Sequence, residues 1–457
     1  MLNQSFTDRM KRLLGDGYKD FISAMEKDPV RGARVNKIKC KTEDFLRITD
    51  MRCEAIPYVD NGFIIRDSDG VGLTPEHHAG MIYVQDPGAM SALSAVDFYE
   101  GEWVLDACAA PGGKSSQIAE RIGDEGFLLS NEFVPKRAKI IVGNFERLGI
   151  KNAMVTSLDT KEFPKMFRGV FDTVVCDAPC SGEGMFRKSD EAISDWSEDN
   201  VAMCAERQFG ILENLIPTIK DGGRLIYSTC TYSLEENEMI VAKILENHPS
   251  FELVAVKDEL ASKTADGINF DGKHPEMKLT RRFYPHISEG EGQFVAVMKK
   301  RENTDDKTTI LYKDAGISPA KSEIQIVDNF LMEVFKTVPE GRFIKQGDFI
   351  SLVAHDCPIP QRSVFMPGVV IGEIQKNLLK PHHQLFSAYG KDMKNQVLLT
   401  KDDPRVERYL RGEEIECDDC LSGWCAVIYE GTALGGGKIS CGRVKNHYPK
   451  GLRNNAK

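Results

Sequence analysis

Two short stretches of the chain each place a cysteine directly behind an apolar run. DAPCSG at 177–182 contains Cys180, and YSTCTY at 227–232 contains Cys230. A cysteine at the end of a buried strand can bind a metal, form a disulfide, pack in the core or act as a nucleophile. The surrounding sequence has to decide among these four kinds of chemistry.

The residues around the two cysteines disfavour a metal and a disulfide. Zinc needs about four nitrogen or sulfur ligands, but the neighbouring cysteines have no CxxC spacing and no histidine lies within 79–247. The N-terminus carries no apolar secretory segment, so we expect a cytoplasmic chain whose twelve cysteines are reduced. Packing is the usual role of a lone cysteine, yet loops of Pro, Ser, Thr and Gly fit packing poorly. Nucleophilic chemistry is the remaining option.

A separate CxxC pair lies near the C-terminus. It consists of Cys417 and Cys420, and it is followed by Cys425 and Cys441, which do not form a second CxxC. Aspartates fill the gap of the first pair. Because this spacing is poor for structural zinc, we predict no metal site.

A loop rich in glycine and proline, DACAAPGGKSS at 106–116, follows the first strong strand candidate. In a parallel sheet, ligands bind at the carboxyl ends of the strands, and small residues let the backbone approach them closely. The loop lacks both GxGxxG and GxxxxGK[ST], so it predicts neither a dinucleotide nor an ATP phosphate site.

Acidic residues follow the next three strand candidates. Glu132 ends the second, where a carboxylate can accept hydrogen bonds from ribose hydroxyls. The alternative for Glu132 is a favourable acid at a helix N-terminus. Asp159 and Asp177 end the third and fourth. Since each strand end borders the same crevice, this row of acids indicates a binding site.

The elements that must position these residues alternate strand, loop and helix from about residue 103. Continuous apolar strands that alternate with helical patterns indicate an α/β fold with a doubly wound, mostly parallel sheet. FELVAV and QFVAVMKK are expected to close the same sheet. The strand candidates are WVLD (103–106), FLLSNE (127–132), AMVTSLD (153–159), FDTVVCDAP (171–179) and GRLIYSTC (223–230).

The 457-residue chain is long enough for two or three domains, and no apolar run could cross a membrane. The net charge is −10, but both ends are basic. Residues 1–52 hold twelve Lys or Arg against eight Asp or Glu, and residues 438–457 hold six bases and no acid. Such local patches can bind phosphates although the whole chain is acidic; a plain solvated tail is the alternative.

Four motifs in this order resemble the NOL1/NOP2/Sun family of RNA cytosine-5 methyltransferases. The upstream YVQDPGAMSAL and RGARVNKIK are similar to that family too. The tail GGGKISCGRVKNHYPKGLR resembles the bacterial RsmF-type branch, which methylates small-subunit ribosomal RNA and carries a PUA-like module. The four motifs are DACAAPGGKSSQIA, NEF, DAPCSGEGMFRK and YSTCTYSLEENE.

The resemblance implies a Rossmann-like class I methyltransferase core, an N-terminal α/β extension and a C-terminal β-rich PUA-like module. The expected division is an N-terminal RNA-binding extension at 1–75, the core at 76–301, a linker at 302–322 and the C-terminal region at 323–457. S-adenosylmethionine would be the methyl donor. The donor would contact Cys108, Ala109, Ala110, Pro111, Gly112, Gly113, Lys114, Glu132 (ribose), Asp159 (adenine) and Asp177.

The resemblance also implies the roles of the two thiols. Cys230 would be the nucleophile that adds to carbon 6 of cytosine, Cys180 would serve product release, and Asp177 would border both donor and base. The expected partner is 16S ribosomal RNA of the small subunit, with a monomeric enzyme. A transfer RNA substrate and a non-catalytic ribosome-assembly factor remain alternatives. Expected phosphate contacts are Arg31, Arg34, Lys37, Lys445 and Lys450.

Overall fold

A computed structural model describes residues 2–66, 69–288, 290–302 and 308–454. The N-terminal region folds into short helices and a four-stranded antiparallel sheet in the order β2–β3–β1–β4. Its strands are β1 (Arg31–Val35), β2 (Cys53–Ala55), β3 (Gly62–Ile65) and β4 (Ile82–Val84). Its helices are α1 (Gln4–Leu14), α2 (Tyr18–Met25), α3 (Thr42–Ile48), α4 (Pro75–His78) and α5 (Pro87–Ser91).

The centre of the molecule is a ten-stranded sheet, and the predicted doubly wound arrangement is confirmed. Five neighbouring strands, in the order β10–β9–β5–β6–β7, run parallel, and β14 lies antiparallel to β10. The sheet continues through β13 to β12, and β11 pairs with β14. The strands of this part of the chain are β5 (Trp103–Asp106), β6 (Phe127–Asn131), β7 (Ala153–Thr156), β8 (Phe167–Arg168), β9 (Phe171–Asp177), β10 (Ile219–Thr229), β11 (Phe251–Leu253), β12 (Ala265–Asp266), β13 (Arg281–Phe283) and β14 (Gln293–Lys300).

Helices cover both faces of this sheet, which explains why its strands are continuously apolar. Successive residues point to opposite faces: Val104 and Leu128 pack into one core cluster, and Leu105 and Leu129 into the other. The helix that ends at Leu148 is capped by Gly149, whose φ of 70° favours glycine. The helices are α6 (Gly113–Arg121), α7 (Pro135–Leu148), α8 (Phe163–Met166), α9 (Asp190–Asp195), α10 (Glu198–Leu215), α11 (Glu238–Asn247) and α12 (Asp258–Ala261).

The C-terminal region is β-rich, as predicted, and contains two further sheets. One has the strand order β16–β17–β19–β20 and the other β21–β23–β24–β25–β22. Its strands are β15 (Thr309–Ile310), β16 (Arg342–Gln346), β17 (Phe349–Val353), β18 (Val364–Met366), β19 (Val369–Gln375), β20 (Leu378–Pro381), β21 (Gln396–Leu399), β22 (Ile415–Glu416), β23 (Gly423–Tyr429), β24 (Thr432–Ser440) and β25 (Arg443–Asn446). Its helices are α13 (Lys321–Val334), α14 (His383–Tyr389) and α15 (Arg405–Leu410).

Two segments pair this region with strands of the preceding part of the chain. Strand β18 pairs antiparallel with β7 and becomes the last strand of the ten, and β15 pairs with β8. Residues 303–307 of the expected linker lie outside the described residues. The C-terminal half therefore shares backbone hydrogen bonds with the central sheet.

The basic tail is built into a sheet. It contributes the end of β24 and all of β25, and Ile439, Val444 and Tyr448 are buried. Lys445 and Lys450 remain exposed, and residues 455–457 of the tail are outside the described part of the chain. Among the helices described, none is long and apolar enough to cross a membrane.

Candidate active site

The five parallel strands bring the loops singled out from the sequence to one edge of the sheet. The glycine-rich loop follows β5, Glu132 follows β6, Asp159 follows β7, and the two cysteine loops follow β9 and β10. Carboxyl ends of neighbouring parallel strands share one edge, so the prediction from strand order holds for the placement of these loops.

The backbone conformation of the loop after β5 would let a ligand approach the main chain closely. Gly112 has φ of 108°, a conformation that favours glycine, and it precedes α6 without supplying a side-chain cap. The first amide groups of α6 are therefore not capped by a side chain, and such groups favour an anionic ligand. Before the loop, the Asp106 carboxyl accepts a hydrogen bond from Ser115 Oγ at 2.6 Å, and burial raises its pKa to about 7.

Cys108 lies in this loop with its thiol toward the interior. It faces Cys176 of β9, and this contact together with burial raises the pKa of the Cys176 thiol. Both thiols are free.

Asn131 holds three of the loops in place and was missed by the sequence reasoning. Its Nδ2 donates to the carbonyl oxygens of Ala107 at 3.3 Å and Leu158 at 3.0 Å, and its Oδ1 accepts from the Leu158 N–H at 2.8 Å. The loops after β5, β6 and β7 are thereby joined through one buried amide. A polar residue at the end of an apolar strand was the available signal.

Two of the predicted acids are fixed by nearby donors. Glu132 is buried, accepts the Val134 N–H at 2.9 Å, and has its second oxygen 3.4 Å from an Arg137 nitrogen. Asp159 is half-buried and accepts the Lys161 N–H at 3.0 Å. The helix-terminal alternative considered for Glu132 is compatible with its bond to Val134, which precedes α7.

Lys114 of α6 and Asp177 of β9, two predicted site residues, form an ion pair. Lys114 Nζ lies 2.8 Å from Asp177 Oδ2, and the lysine side chain is 8% exposed. The other Asp177 oxygen accepts from Ser228 Oγ at 2.7 Å and from Gln293 Nε2 at 3.3 Å. This network connects the glycine-rich loop to β9, β10 and β14, and the sequence reasoning did not identify Ser228 or Gln293.

Cys180 and Cys230, which follow different strands, lie in contact. Cys180 Sγ and Cys230 Sγ are 3.0 Å apart, and the Cys230 N–H points to Cys180 Sγ at 3.3 Å. Both residues are partly accessible. The hydrogen bond to Cys230, burial, and the negative charge of Glu236 together raise the pKa of the Cys180 thiol well above its usual value.

The basic N-terminal segment differs from the prediction. Arg34 was expected to bind phosphate, but it is 1% exposed and therefore wrongly assigned. Its guanidinium lies 2.6 Å from both Glu120 Oε2 and Ser116 Oγ of α6. Arg31 and Lys37 are exposed, and Lys37 forms an ion pair with Asp60. Strand β1 thus clamps the helix that follows the glycine-rich loop.

Lys39, in the same segment, is also buried. Its Nζ donates to the backbone oxygens of Ser387 at 2.6 Å and Ala433 at 3.1 Å, and lies 3.0 Å from Ser387 Oγ. Burial, without a nearby anion strong enough to offset it, lowers the pKa of Lys39 to about 7. The residue fastens the N-terminal region to α14 and β24.

The cysteines around the CxxC pair differ in their exposure to solvent. Cys417 is half-buried, whereas Cys420 and Cys441 are exposed. Over the described part of the chain, no group of three or more His, Cys, Asp or Glu side chains is arranged to hold a metal ion.

Comparison with known families gives three matches along the chain. The family model for 16S rRNA methyltransferase RsmB/F matches residues 93–299. The model for the N-terminal domain of 16S rRNA methyltransferase RsmF matches residues 2–87, and the one for the methyltransferase RsmF PUA domain matches residues 397–454. The sheet edge with the two thiols falls within the first of these matches.

Curated relatives are similar over nearly the whole length. The ribosomal RNA small subunit methyltransferase F of Vibrio campbellii is 30% identical, covering 98% of this chain and 97% of the relative. The protein of the same name from Aeromonas salmonicida is 30% identical over 95% and 93%. Among solved structures, a methyltransferase homolog protein from Pyrococcus horikoshii superposes with a TM-score of 0.58 at 30% identity, covering 65% of this chain and 95% of that one.

Proposed function

The chain belongs to the RsmB/F family of 16S rRNA methyltransferases, and from this premise we propose that it methylates carbon 5 of a cytosine through a covalent bond from Cys230 to carbon 6. The observation that supports this most directly is the thiol pair at the carboxyl ends of β9 and β10, with 3.0 Å between the sulfur atoms. The methyl donor in this proposal is S-adenosylmethionine.

The chemistry explains why a cysteine is needed. Carbon 5 of cytosine is a poor nucleophile. When a thiolate adds to carbon 6, the ring becomes enamine-like and carbon 5 can take an electrophilic methyl group. After the transfer, the carbon-5 proton must leave so that the carbon–sulfur bond can break and return the thiolate. The duplex form of the base would be inaccessible, so the target must be unstacked.

The residues at the sheet edge suit a donor of this kind. S-adenosylmethionine supplies an electrophilic methyl group and carries both a carboxylate and a ribose. The uncapped start of α6 after Gly112 suits the carboxylate, and the buried carboxylate of Glu132 suits the ribose hydroxyls. We assign donor contacts to the loop from Cys108 to Lys114 and to Glu132, Asp159 and Asp177.

Cys180 and Asp177 complete the proposed set of acting groups. Cys180 is close enough to receive or return a proton at the base once Cys230 is bonded to it, and we assign it to product release. Asp177 faces the same edge and is fixed by its ion pair with Lys114, so it can accept a hydrogen bond from the base and stabilise the adduct.

We assign RNA binding to the two ends of the chain. The N-terminal extension at 1–75 and the C-terminal region at 323–457 flank the core at 76–301. Arg34 is excluded as a phosphate contact because it is buried. The remaining candidates are exposed: Arg31, Lys37, Lys445 and Lys450. The substrate in this proposal is small-subunit ribosomal RNA.

A trapping experiment tests the covalent step. The full-length enzyme is incubated with donor and RNA that contains 5-fluorocytidine, whose fluorine cannot leave as a proton does. Mass spectrometry should then find a nucleotide bonded to the peptide that contains Cys230. A complete lack of this conjugate, with donor binding intact, would refute the covalent mechanism.

The substrate is tested separately. Bisulfite sequencing of RNA from cells with and without the gene should show one or more cytosines in 16S rRNA that lose protection when the gene is absent. A change confined to transfer RNA would replace the ribosomal assignment. Absence of tritiated methyl transfer into any RNA would instead favour a non-catalytic assembly factor.

A further inference from the structure

Two buried carboxylates connect the cysteine loops reciprocally. Glu183, in the loop after β9, accepts the Tyr232 N–H at 2.8 Å and Ser233 Oγ at 3.0 Å from the loop after β10. Glu236, in the loop after β10, reaches back to Ser181 in the loop after β9. Each loop thus supplies one carboxylate that binds the backbone of the other, next to its cysteine.

Glu236 is fully buried and is surrounded by donors. Its Oε2 accepts the Ser181 N–H at 2.9 Å and Gln208 Nε2 at 2.8 Å, and its Oε1 accepts Ser181 Oγ at 2.5 Å. Ser181 Oγ in turn lies 3.0 Å from Thr231 Oγ1. Burial raises the pKa of Glu236, but all three groups around the carboxyl donate and oppose this rise, so the hydrogen bonds suit an ionised carboxylate better than a protonated one.

The position of Glu236 distinguishes the two thiols. Ser181 is the chain neighbour of Cys180, so the carboxylate is held beside that cysteine. Within the described part of the chain, no lysine, arginine or histidine forms a salt bridge with Glu236 to neutralise it. A negative charge disfavours a second negative charge nearby, so it opposes ionisation of Cys180.

We propose that Glu236 is a positioning residue: when one of the two thiols loses its proton to solvent, the nearby carboxylate disfavours the negative charge on Cys180, so that the charge lies on Cys230. The inference rests on the proposed function, in which Cys230 is the nucleophile. In the free enzyme, Cys180 would donate its hydrogen to the Cys230 thiolate across the 3.0 Å contact. Once the Cys230 sulfur is bonded to the base, this acceptor is lost. Cys180 can then give its proton to solvent and, as the thiolate, take the carbon-5 proton, so that the carbon–sulfur bond breaks and Cys230 leaves as the thiolate.

Several other groups near the thiol pair also affect the ionisation of Cys180 and Glu236. The Cys230 N–H donates to Cys180 Sγ and acts in the opposite direction, because it favours a Cys180 thiolate. Arg207 is the cation next to Cys204, and it is exposed on α10. The remaining ionisable groups that act on Cys180, Glu236 or their neighbours are Cys204, Tyr227, Glu183, Cys176 and Asp177.

The test compares how fast each thiol is alkylated in the free enzyme, since only the thiolate reacts. Iodoacetamide is added over a series of pH values, and peptide mass spectrometry measures the rates at Cys180 and Cys230 separately. In the unmodified chain, Cys230 should react first. In Glu236→Gln, which keeps the size of the side chain, the rate at Cys180 should rise by about threefold or more near neutral pH, the effect of a half-unit fall in its pKa. Glu235→Gln is the matched control.

The control residue is the chain neighbour of Glu236 and forms an ion pair with Arg9, so its substitution should leave the ratio of the two rates unchanged. If Glu236→Gln does not fold, Gln208→Met is the second variant. It removes a donor that lowers the pKa of Glu236, so a larger fraction of the carboxyl is neutral and the ratio should shift in the same direction by less. A Cys180 profile identical to that of the unmodified chain, in a folded variant, would overturn the proposal. Because no RNA is present, this failure is separate from a missing RNA adduct, which would refute the proposed function.

Discussion

The sheet edge that carries Cys180 and Cys230 and the N-terminal interface both bury charge, but they stabilise it differently. At the edge, the carboxylate of Glu236 is held by neutral donors near the thiols of Cys180 and Cys230. At the interface, Arg34 pairs with Glu120 and Lys39 is held by carbonyl and hydroxyl oxygens. The edge leaves groups able to change protonation beside the reacting atoms, whereas the interface uses its charges to fasten one region to another.

The difference separates activity from stability. A substitution of either thiol at the edge should change the reaction while the fold persists, because both cysteines are only partly buried. A substitution at the interface should destabilise the fold, because an uncompensated charge would be left buried.

The largest expected effect concerns the thiol pair. Cys230→Ala should abolish methylation and any covalent adduct, because no thiolate remains to attack carbon 6. Cys180→Ala should still form the adduct but release product poorly, so protein and RNA should accumulate as a crosslinked species. A denaturing gel of each variant with donor and RNA measures both outcomes. If the crosslink forms in Cys230→Ala and not in Cys180→Ala, the roles are reversed.

The next prediction concerns Arg34. Arg34→Ala leaves Glu120 buried without its partner and should lower the free energy of unfolding by about 3–5 kcal/mol. Urea denaturation measures this loss. The double substitution Arg34→Met and Glu120→Leu removes both charges and should recover part of it. A loss of RNA affinity without a loss of stability would restore Arg34 as a phosphate contact.

Lys39 predicts a pH dependence of stability. Its folded pKa of about 7 lies below the usual value for lysine, so between these two values the unfolded chain binds more protons than the folded chain. The contribution of Lys39 to stability should therefore rise as pH increases from about 7 toward 10 and stay constant below that window. Unfolding free energies of the unmodified chain and Lys39→Met, measured at several pH values, should diverge in this range. Parallel curves would contradict the lowered pKa.

The smallest effect is expected on the tail. Lys445→Ala and Lys450→Ala should each weaken RNA binding modestly and reduce the slope of log affinity against log salt by about one. Lys220→Ala, which removes an ion pair with Asp172, should leave that slope unchanged. Point substitutions are needed here, because deleting the tail would remove β25. Equal slopes for all three variants would exclude the tail from phosphate binding.

The sequence predicted the parts of the fold that follow from local pattern. Alternation of apolar strands with helices was enough to place Cys180 and Cys230 at adjacent strand ends, since parallel strands share an edge. It could not place Arg34, because charge is an imperfect guide to exposure and its partner Glu120 lies 86 residues away along the chain.

The missed residues share a physical reason. Asn131 and Glu236 join loops that are distant in sequence. The residues next to them in the sequence do not indicate which distant groups they contact. Both residues lie within the motifs that carry the family resemblance. Their roles become visible only in the folded chain, where they lie within hydrogen-bond distance of residues in other loops. The same holds for β18, a strand from the C-terminal region that no local pattern connects to β7.

The pairing of β18 with β7 has a consequence for how the chain can be divided. In its absence, β7 would be the outermost strand and would present a row of free backbone N–H and C=O groups, which invite another chain to add itself there. A fragment that stops at residue 301 would expose β7 to solvent as an unpaired edge strand. Self-association of such a piece is therefore expected, although it contains every residue proposed to take part in the chemistry.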